Sequence, residues 1–304
     1  MSEQKQLKDT SSSPIENLLS NHEQLSDSRL PTPCHKLELS GVSARTDLYV
    51  KRDDLTGIAM GGNKTRKLDF VFPKLIKDGV NAIVAIGGAQ SNFCRVLCAY
   101  GARYGISIDL VLGGAEPKKP YKGNLLLDDL LGVNAHFIDT DDFEVLEKAS
   151  NNYTKKLQDQ GKKVFTMPLG GSYGLSTLGY IQAFLEIMEF FESEDKKLLD
   201  YIFHASGSGG TQAGLILGKL IHGWQGDIIG FSVAYPKDEF FQKILALCME
   251  ANSLFNLGFS KDQIKSAIII DDNYLGEDYA VPTEAGSKAQ ALFAKESGLI
   301  LDST

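Results

Sequence analysis

Cysteine, histidine, positive charge and long apolar runs are all scarce in this 304-residue chain, and each scarcity excludes something. The four cysteines, Cys34, Cys94, Cys98 and Cys248, are too few and too scattered to build a disulfide framework, and a reducing cytoplasm is the expected compartment. Cys94 and Cys98 lie four apart, on one face if the segment is helical, but no His or Cys pair stands near to complete a metal site. They read as small buried apolar side chains, and no metal is expected. The five histidines, His22, His35, His136, His204 and His222, show no ligand spacing. No apolar run approaches the ~20 residues that cross a bilayer, and Met1 to Ser13 hold no apolar stretch, so neither a membrane span nor a secretory leader is expected. Lys and Arg number 31 against 39 Asp and Glu, a net charge of −8. That balance opposes a nucleic-acid binder, which needs a basic field to displace counterions. A small anionic ligand stays open, because backbone dipoles can bind one whatever the net charge.

What is present suits a globular enzyme. The chain is 43% hydrophobic and long enough to bury about three quarters of its unfolded surface without staples. Short β-branched runs alternate with longer helical patterns. The expected strands are 47–51, 82–86, 107–112, 135–138, 163–167, 201–204, 228–233 and 267–270. The expected helices are 65–77, 92–104, 122–131, 142–159, 177–191, 211–221, 239–250 and 284–296. Such alternation builds an α/β fold of parallel strands through right-handed crossovers. Residues 1–30 read as a loosely ordered arm with a short helix over 15–19. No fixed-period repeat and no Ser/Pro linker divides the rest, so any two domains must exchange chain more than once.

Four glycine-rich stretches fall at strand-to-helix junctions: Gly61 to Lys67, Gly87 to Asn92, Gly170 to Gly174 and Gly207 to Thr211. Ligands bind beyond the carboxyl ends of parallel strands, where glycine lets backbone N–H groups approach an anion. Gly207-Ser208-Gly209-Gly210-Thr211 follows a strand and opens a helix, the setting of a phosphate cradle, with two hydroxyls in addition. A tight turn that needs glycine only for packing is the plainer alternative. Lys64 misses the register of a P-loop by one residue, since Asn63 separates it from Gly62. A lysine in a cleft can instead form an imine with an aldehyde cofactor. The bland alternative, a solvated charge at a helix start, is opposed by the helix dipole. Ser91 and Asn92 suit a helix cap, and together with the dipole they would also hold a carboxylate.

These stretches, GGNKTRKLDF, GGAQSNFCR and GSGGTQAGL, followed by Tyr279-Ala280-Val281-Pro282-Thr283-Glu284, occur in the order and spacing of pyridoxal-phosphate enzymes of fold type II. From Pro31 to the end the chain resembles the 1-aminocyclopropane-1-carboxylate deaminase and D-cysteine desulfhydrase family. The resemblance implies a tryptophan synthase beta-like fold of two α/β domains with pyridoxal 5'-phosphate in the cleft. It implies a small domain over 61–172 and a discontinuous larger one over 31–60 and 173–304. A homodimer and a small amino-acid substrate are also implied. Lys64 is implied as the Schiff-base lysine with Asn63 beside it, and Ser91 and Asn92 as meeting the substrate carboxylate, Ser91 also relaying a proton. Gly207, Ser208, Gly209, Gly210 and Thr211 are implied as the phosphate cradle, and Tyr279 as lying near cofactor and substrate. The implied products are a 2-oxo acid and ammonia.

Two departures from the family accompany this. Ser91-Asn92 is followed by Phe93-Cys94-Arg95, which places an apolar ring where the family carries a hydrogen-bonding residue facing the substrate. Beyond Leu301-Asp302-Ser303-Thr304 the family continues into a Tyr-containing, Gly-Lys-rich segment, a helix and a strand. Without that segment, weakened cofactor electronics and an exposed apolar sheet surface are expected. The alternative function is then a catalytically impaired relative that binds cofactor or amino acid without turnover.

Overall fold

A computed structural model describes residues 12–140, 142–193, 199–277 and 281–302. It opens with α1 (Pro14–Ser20), whose start is fixed by a capping box between Ser13 and Glu16. Ile15 is buried at 1% exposure in the core against α6 and α7. The loosely ordered arm expected over 1–30 is therefore corrected for 12–30, which are docked; 1–11 lie outside the described residues. The docking has a backbone cause. Pro73 lies inside α2 and has no N–H, so the Asp69 carbonyl one turn earlier is left without its helical donor. Leu25 N–H takes that carbonyl at 2.9 Å, and Ser28 N–H takes the Asp69 carboxylate at 3.0 Å.

Next come β1 (Cys34–Leu37) and β2 (Leu48–Lys51), an antiparallel pair in the register Cys34 opposite Lys51. Two single-turn helices, Asp53–Leu55 and Ile58–Met60, lead into α2 (Asn63–Lys77). The chain then alternates through β3 (Ala82–Gly88), α3 (Asn92–Tyr104), β4 (Ser107–Gly113), α4 (Gly123–Leu130), β5 (Asn134–Ile138), α5 (Phe143–Asp159) and β6 (Val164–Met167). These four strands form one parallel sheet in the order β5-β4-β3-β6. Leu68, Phe72, Val96 and Tyr100 of α2 and α3 cover one face of it, and Leu146 and Leu157 of α5 the other.

After α6 (Leu178–Ser193) a second parallel sheet forms from β7 (Tyr201–Ser206), β8 (Asp227–Ser232) and β9 (Ile269–Asp271). Between its strands run α7 (Gly210–His222), α8 (Lys237–Leu254) and α9 (Lys261–Ala267). The strand expected at 267–270 is thus partly wrong. Ser260 and Gln263 make a reciprocal cap that starts α9, which holds Ala267 in a helix and leaves only Ile269–Asp271 as strand. One face of this sheet packs on α6 to α9. On the other, Tyr201 and Phe203, 53% and 55% exposed, stack at 5.7 Å and continue through Phe231 to Tyr274. Last is α10 (Glu284–Ser297), with no buried residue, tethered where Ser40 N–H meets the Glu296 carboxylate at 2.6 Å. No helix among the described residues is long and apolar enough to cross a membrane.

Candidate active site

Three strand-to-helix turns converge on the first residues of α2. The backbone before α2 reaches its start through Gly61 at φ 69°, where a Cβ would lie 2.3 Å from the Asp54 carbonyl, so a side chain has no room there. Thr56, fully buried, holds the turn by bonding both the N–H (2.9 Å) and the carbonyl (3.1 Å) of Gly62.

From that start α2 presents Asn63, Lys64, Arg66 and Lys67 in different directions, as 100° per residue requires. Arg66, with no exposed surface, points away from the other three. Its guanidinium makes paired bonds to Glu186 (2.8 and 2.9 Å) and to Asp53 (2.9 and 2.9 Å). Lys51 joins Glu186 at 2.6 Å and Tyr180 joins Asp53 at 2.6 Å. This network fastens α2 to α6 and to the end of β2.

Asn63 and Lys64 face the start of α7. Asn63 Nδ2 donates to Thr211 Oγ1 at 2.9 Å, and Lys64 Nζ donates to Asn63 Oδ1 at 2.9 Å. Withdrawal from water pushes the Lys64 amine down to about 8; the Asp302 carboxylate opposes this and the Arg95 cation reinforces it. An amine with that property is a nucleophile near neutral pH.

Lys67, one turn on, is a residue the sequence reading missed. It is 1% exposed, and its ammonium donates to Ser172 Oγ at 2.9 Å and to the Gly170 carbonyl at 3.4 Å. Burial pushes its pKa well down, and the Lys64 charge pushes it further. Both hydrogen-bond partners are neutral, so the site offers a buried cation with no carboxylate joined to it. Ser172 Oγ meets Ser208 Oγ at 2.8 Å, and a Cβ on Gly210 would stand 2.8 Å from Lys67 Nζ and 2.5 Å from Ser172 Oγ. The first turn of α7 therefore lies directly against the ammonium. No side chain caps α7; its Ncap is Gly209 in the left-handed region. Open N–H groups, a helix dipole, the hydroxyls of Ser172, Ser208 and Thr211 and an uncompensated cation fit a phosphate-sized anion.

The third turn starts α3. Ser91 Oγ caps the helix by accepting from Cys94 N–H at 3.2 Å, which leaves the hydroxyl hydrogen to donate elsewhere. Asn92 Oδ1 accepts from Arg95 (3.0 Å) and from Asn124 (3.0 Å), while Asn92 Nδ2 donates to Asp302 Oδ2 at 2.7 Å. Arg95 also reaches the Gly61 carbonyl at 3.3 Å, which ties α3 to the turn before Lys64. Phe93 does not face a cleft. It is 3% exposed and lies under Gly171, where a Cβ would come 2.5 Å from its ring. Cys94 and Cys98 are buried thiols, with burial pushing Cys94 up to about 12. His204 is set near Lys67, and burial pushes its imidazole down to about 4. Tyr279 lies outside the described residues.

Residues 25–304 match the family model described as pyridoxal-phosphate dependent enzyme. A bifunctional D-cysteine desulfhydrase/1-aminocyclopropane-1-carboxylate deaminase, mitochondrial, of Arabidopsis thaliana is 34% identical over 281 residues, covering 90% of this chain and 68% of the relative. A D-cysteine desulfhydrase of Klebsiella pneumoniae is 33% identical over 279 residues, covering 90% of this chain and 81% of its own. A solved structure of an ACC deaminase homologue superposes with a TM-score of 0.80 at 28% identity, covering 96% of this chain and 86% of the other.

Proposed function

The chain belongs to the pyridoxal-phosphate dependent enzymes, and from that premise we propose that it is a deaminase or carbon–sulfur lyase of small amino acids, working through Lys64. The observation that carries the reading is the hydrogen bond from Asn63 to Thr211, which sets the Lys64 amine beside the anion cradle of α7. Gly207 to Thr211 and Ser172 would hold the cofactor phosphate, with Lys67 supplying the opposing charge. When bound, the cofactor supplies an aldehyde for amines and a ring that takes up the electrons of the bond broken at the substrate.

The chain's own residues do the rest. Lys64 is the amine that would hold the cofactor's aldehyde, and as a free amine its lowered pKa suits it to act as a base near neutrality. Ser91 and Asn92 orient the substrate carboxylate at the start of α3, and the Ser91 hydroxyl moves a proton. The Phe93 ring excludes water beneath the Gly170–Gly171 turn. The names of the relatives support 1-aminocyclopropane-1-carboxylate and D-cysteine as substrates. The first gives 2-oxobutanoate and ammonia; the second gives pyruvate, sulfide and ammonia. The same reading assigns 61–172 to a small domain, 31–60 with 173–304 to a larger one, and the assembly to a homodimer.

The test is a panel of amino acids in both enantiomers, assayed for 2-oxo acid with the cofactor supplied. Turnover by the wild type, abolished in Lys64→Ala, with borohydride fixing the cofactor on Lys64, is the expected result. Cofactor binding without turnover of any amino acid points to the impaired binder instead. A protein that takes up no cofactor overturns the reading.

A further inference from the structure

Asn92 is the donor assigned above to the substrate carboxylate, and its amide has two unlike ends. Asn92 Oδ1 accepts from Arg95 Nη1 at 3.0 Å and from Asn124 Nδ2 at 3.0 Å. A guanidinium carries only donors, so the end that meets Arg95 is the carbonyl. The NH2 end is thereby turned the other way, where it donates to the Asp302 carboxylate at 2.7 Å. Asn124, near the start of α4, uses every polar atom of its side chain in this arrangement. The two hydrogens of Nδ2 go to Asn92 Oδ1 and to the Gln90 carbonyl (2.8 Å), and Oδ1 accepts from Arg95 Nη1 at 2.9 Å. Its backbone N–H, one of the open donors of the first turn, is taken by Gln90 Oε1 at 2.9 Å, while Gln90 Nε2 donates to the Lys122 carbonyl at 3.1 Å. Gly123, at φ 59°, permits this approach, since a Cβ there would stand 2.2 Å from Gln90 Oε1. Gln90 therefore fastens α4 to the loop that carries Ser91 and Asn92. Reversing the Asn124 amide would set its NH2 against the Arg95 donor and its carbonyl against two other carbonyl oxygens.

We propose that Asn124 is a positioning residue: through its bond to Asn92 Oδ1 it keeps the Asn92 NH2 turned toward the substrate carboxylate. The proposal rests on the reading that Asn92 meets that carboxylate. Arg95 holds the Asn92 carbonyl from the same helix, three residues on. Asn124 holds it from a separate helix, so a turn of the amide breaks bonds on two sides at once. With the amide turned round, Asn92 would offer a carbonyl oxygen to an incoming carboxylate, and two acceptors facing each other repel. Asn124 thus selects for an acceptor at this point of the site without touching the ligand.

Propionate is the probe, a carboxylate with no other polar group. Its binding to the full chain is measured by calorimetry at neutral pH, with inorganic phosphate present to fill the α7 cradle. Asn92→Ala is expected to weaken propionate about tenfold or more, the worth of a hydrogen bond to a charged group. Asn124→Ala should weaken it about 3- to 10-fold in the wild-type background but less than about twofold when Asn92 is already alanine, because it acts through that side chain. Phosphate affinity should be the same in all four proteins, which a general loosening of the fold would not allow. Asn124→Asp, of nearly the same size and still a partner for Arg95, gives the same comparison if the alanine variant does not fold. Its added charge acts in both backgrounds and cancels between them. If the Asn124 substitutions leave propionate unchanged, or weaken it equally with and without Asn92, while Asn92→Ala still weakens it, the proposal fails and the carboxylate reading stands. If Asn92→Ala binds propionate as the wild type does, the carboxylate reading fails and takes the proposal with it.

Discussion

Lys64 and Lys67 are one helical turn apart, and both lose water, but the consequences differ because one is to react and the other to hold. For Lys64 the sign of the pH effect follows from its lowered pKa. Between about 8 in the folded chain and about 10.4 in the unfolded one, the unfolded chain holds a proton that the folded chain has lost. Stability from this group therefore rises with pH across that window, and the cost of burying the charge is fully present below 8. Lys64→Met in the cofactor-free protein is expected to raise the melting temperature at pH 7, and the gain should shrink by pH 10. Calorimetric scans at the two pH values check it; an equal gain at both would contradict the buried charge. Lys67→Met should also stabilise the empty protein, by about 1 kcal/mol or more, because a buried cation is removed. The same change should weaken pyridoxal phosphate about 10- to 100-fold, the worth of a hydrogen bond to a charged group, read by equilibrium titration. Sequence alone singled out Lys64 because glycine and asparagine flank it. Lys67 escaped because a lysine inside a helix reads as solvated, and only the i, i+3 spacing from Lys64 placed it on the same side.

The first turn of α7 is the element that decides whether an anion can approach. Gly210→Ala would set a methyl group 2.5 Å from Ser172 Oγ and 2.8 Å from Lys67 Nζ, in the space the anion needs. It is expected to reduce cofactor affinity more than stability, seen as a raised dissociation constant with a nearly unchanged melting temperature. Arg66 makes the opposite case, since it touches none of the cradle. Arg66→Met takes the guanidinium from buried Glu186, which keeps Lys51, and from partly buried Asp53, which keeps Tyr180, and should still cost about 3 kcal/mol in denaturant unfolding, at the low end for broken buried pairs. The glycine loops were legible in the sequence because their chemistry is local: a turn, open N–H groups, a following helix. The Arg66 network was not, because Thr32, Asp53 and Glu186 are scattered along the chain and only the fold gathers them. α9 was missed for a different reason. The Ser260–Gln263 capping signature was there to read, but the apolar run that follows it was weighed as a strand.

At the scale of the molecule, the alternation of strands and helices was enough to expect parallel strands, because each short apolar strand must return through a crossover, while a division into two came only from the family resemblance. The β1–β2 pair was half seen. Cys34–Leu37 carries no alternation of its own and becomes a strand only by meeting Leu48–Lys51. The aromatic face of β7 and β8 adds a surface where stability and solubility separate. Phe203→Ser should change unfolding free energy by about 0.5 kcal/mol or less, as exposed substitutions do. It should also lower binding of a hydrophobic dye; a large loss of stability instead would mean the ring is covered in solution.

The three cationic heads carried within about one turn at the start of α2 also bear on which genetic changes the protein can survive. Lys64 serves reaction, Arg66 serves anchorage and Lys67 serves charge balance, each aimed at a different neighbour. A one-codon insertion just after Gly62 would rotate the whole set by about 100°, exchanging those destinations together. Point substitutions at any of the three spoil one task, whereas a length change there spoils all of them at once, so natural variants should differ in loop length almost anywhere else.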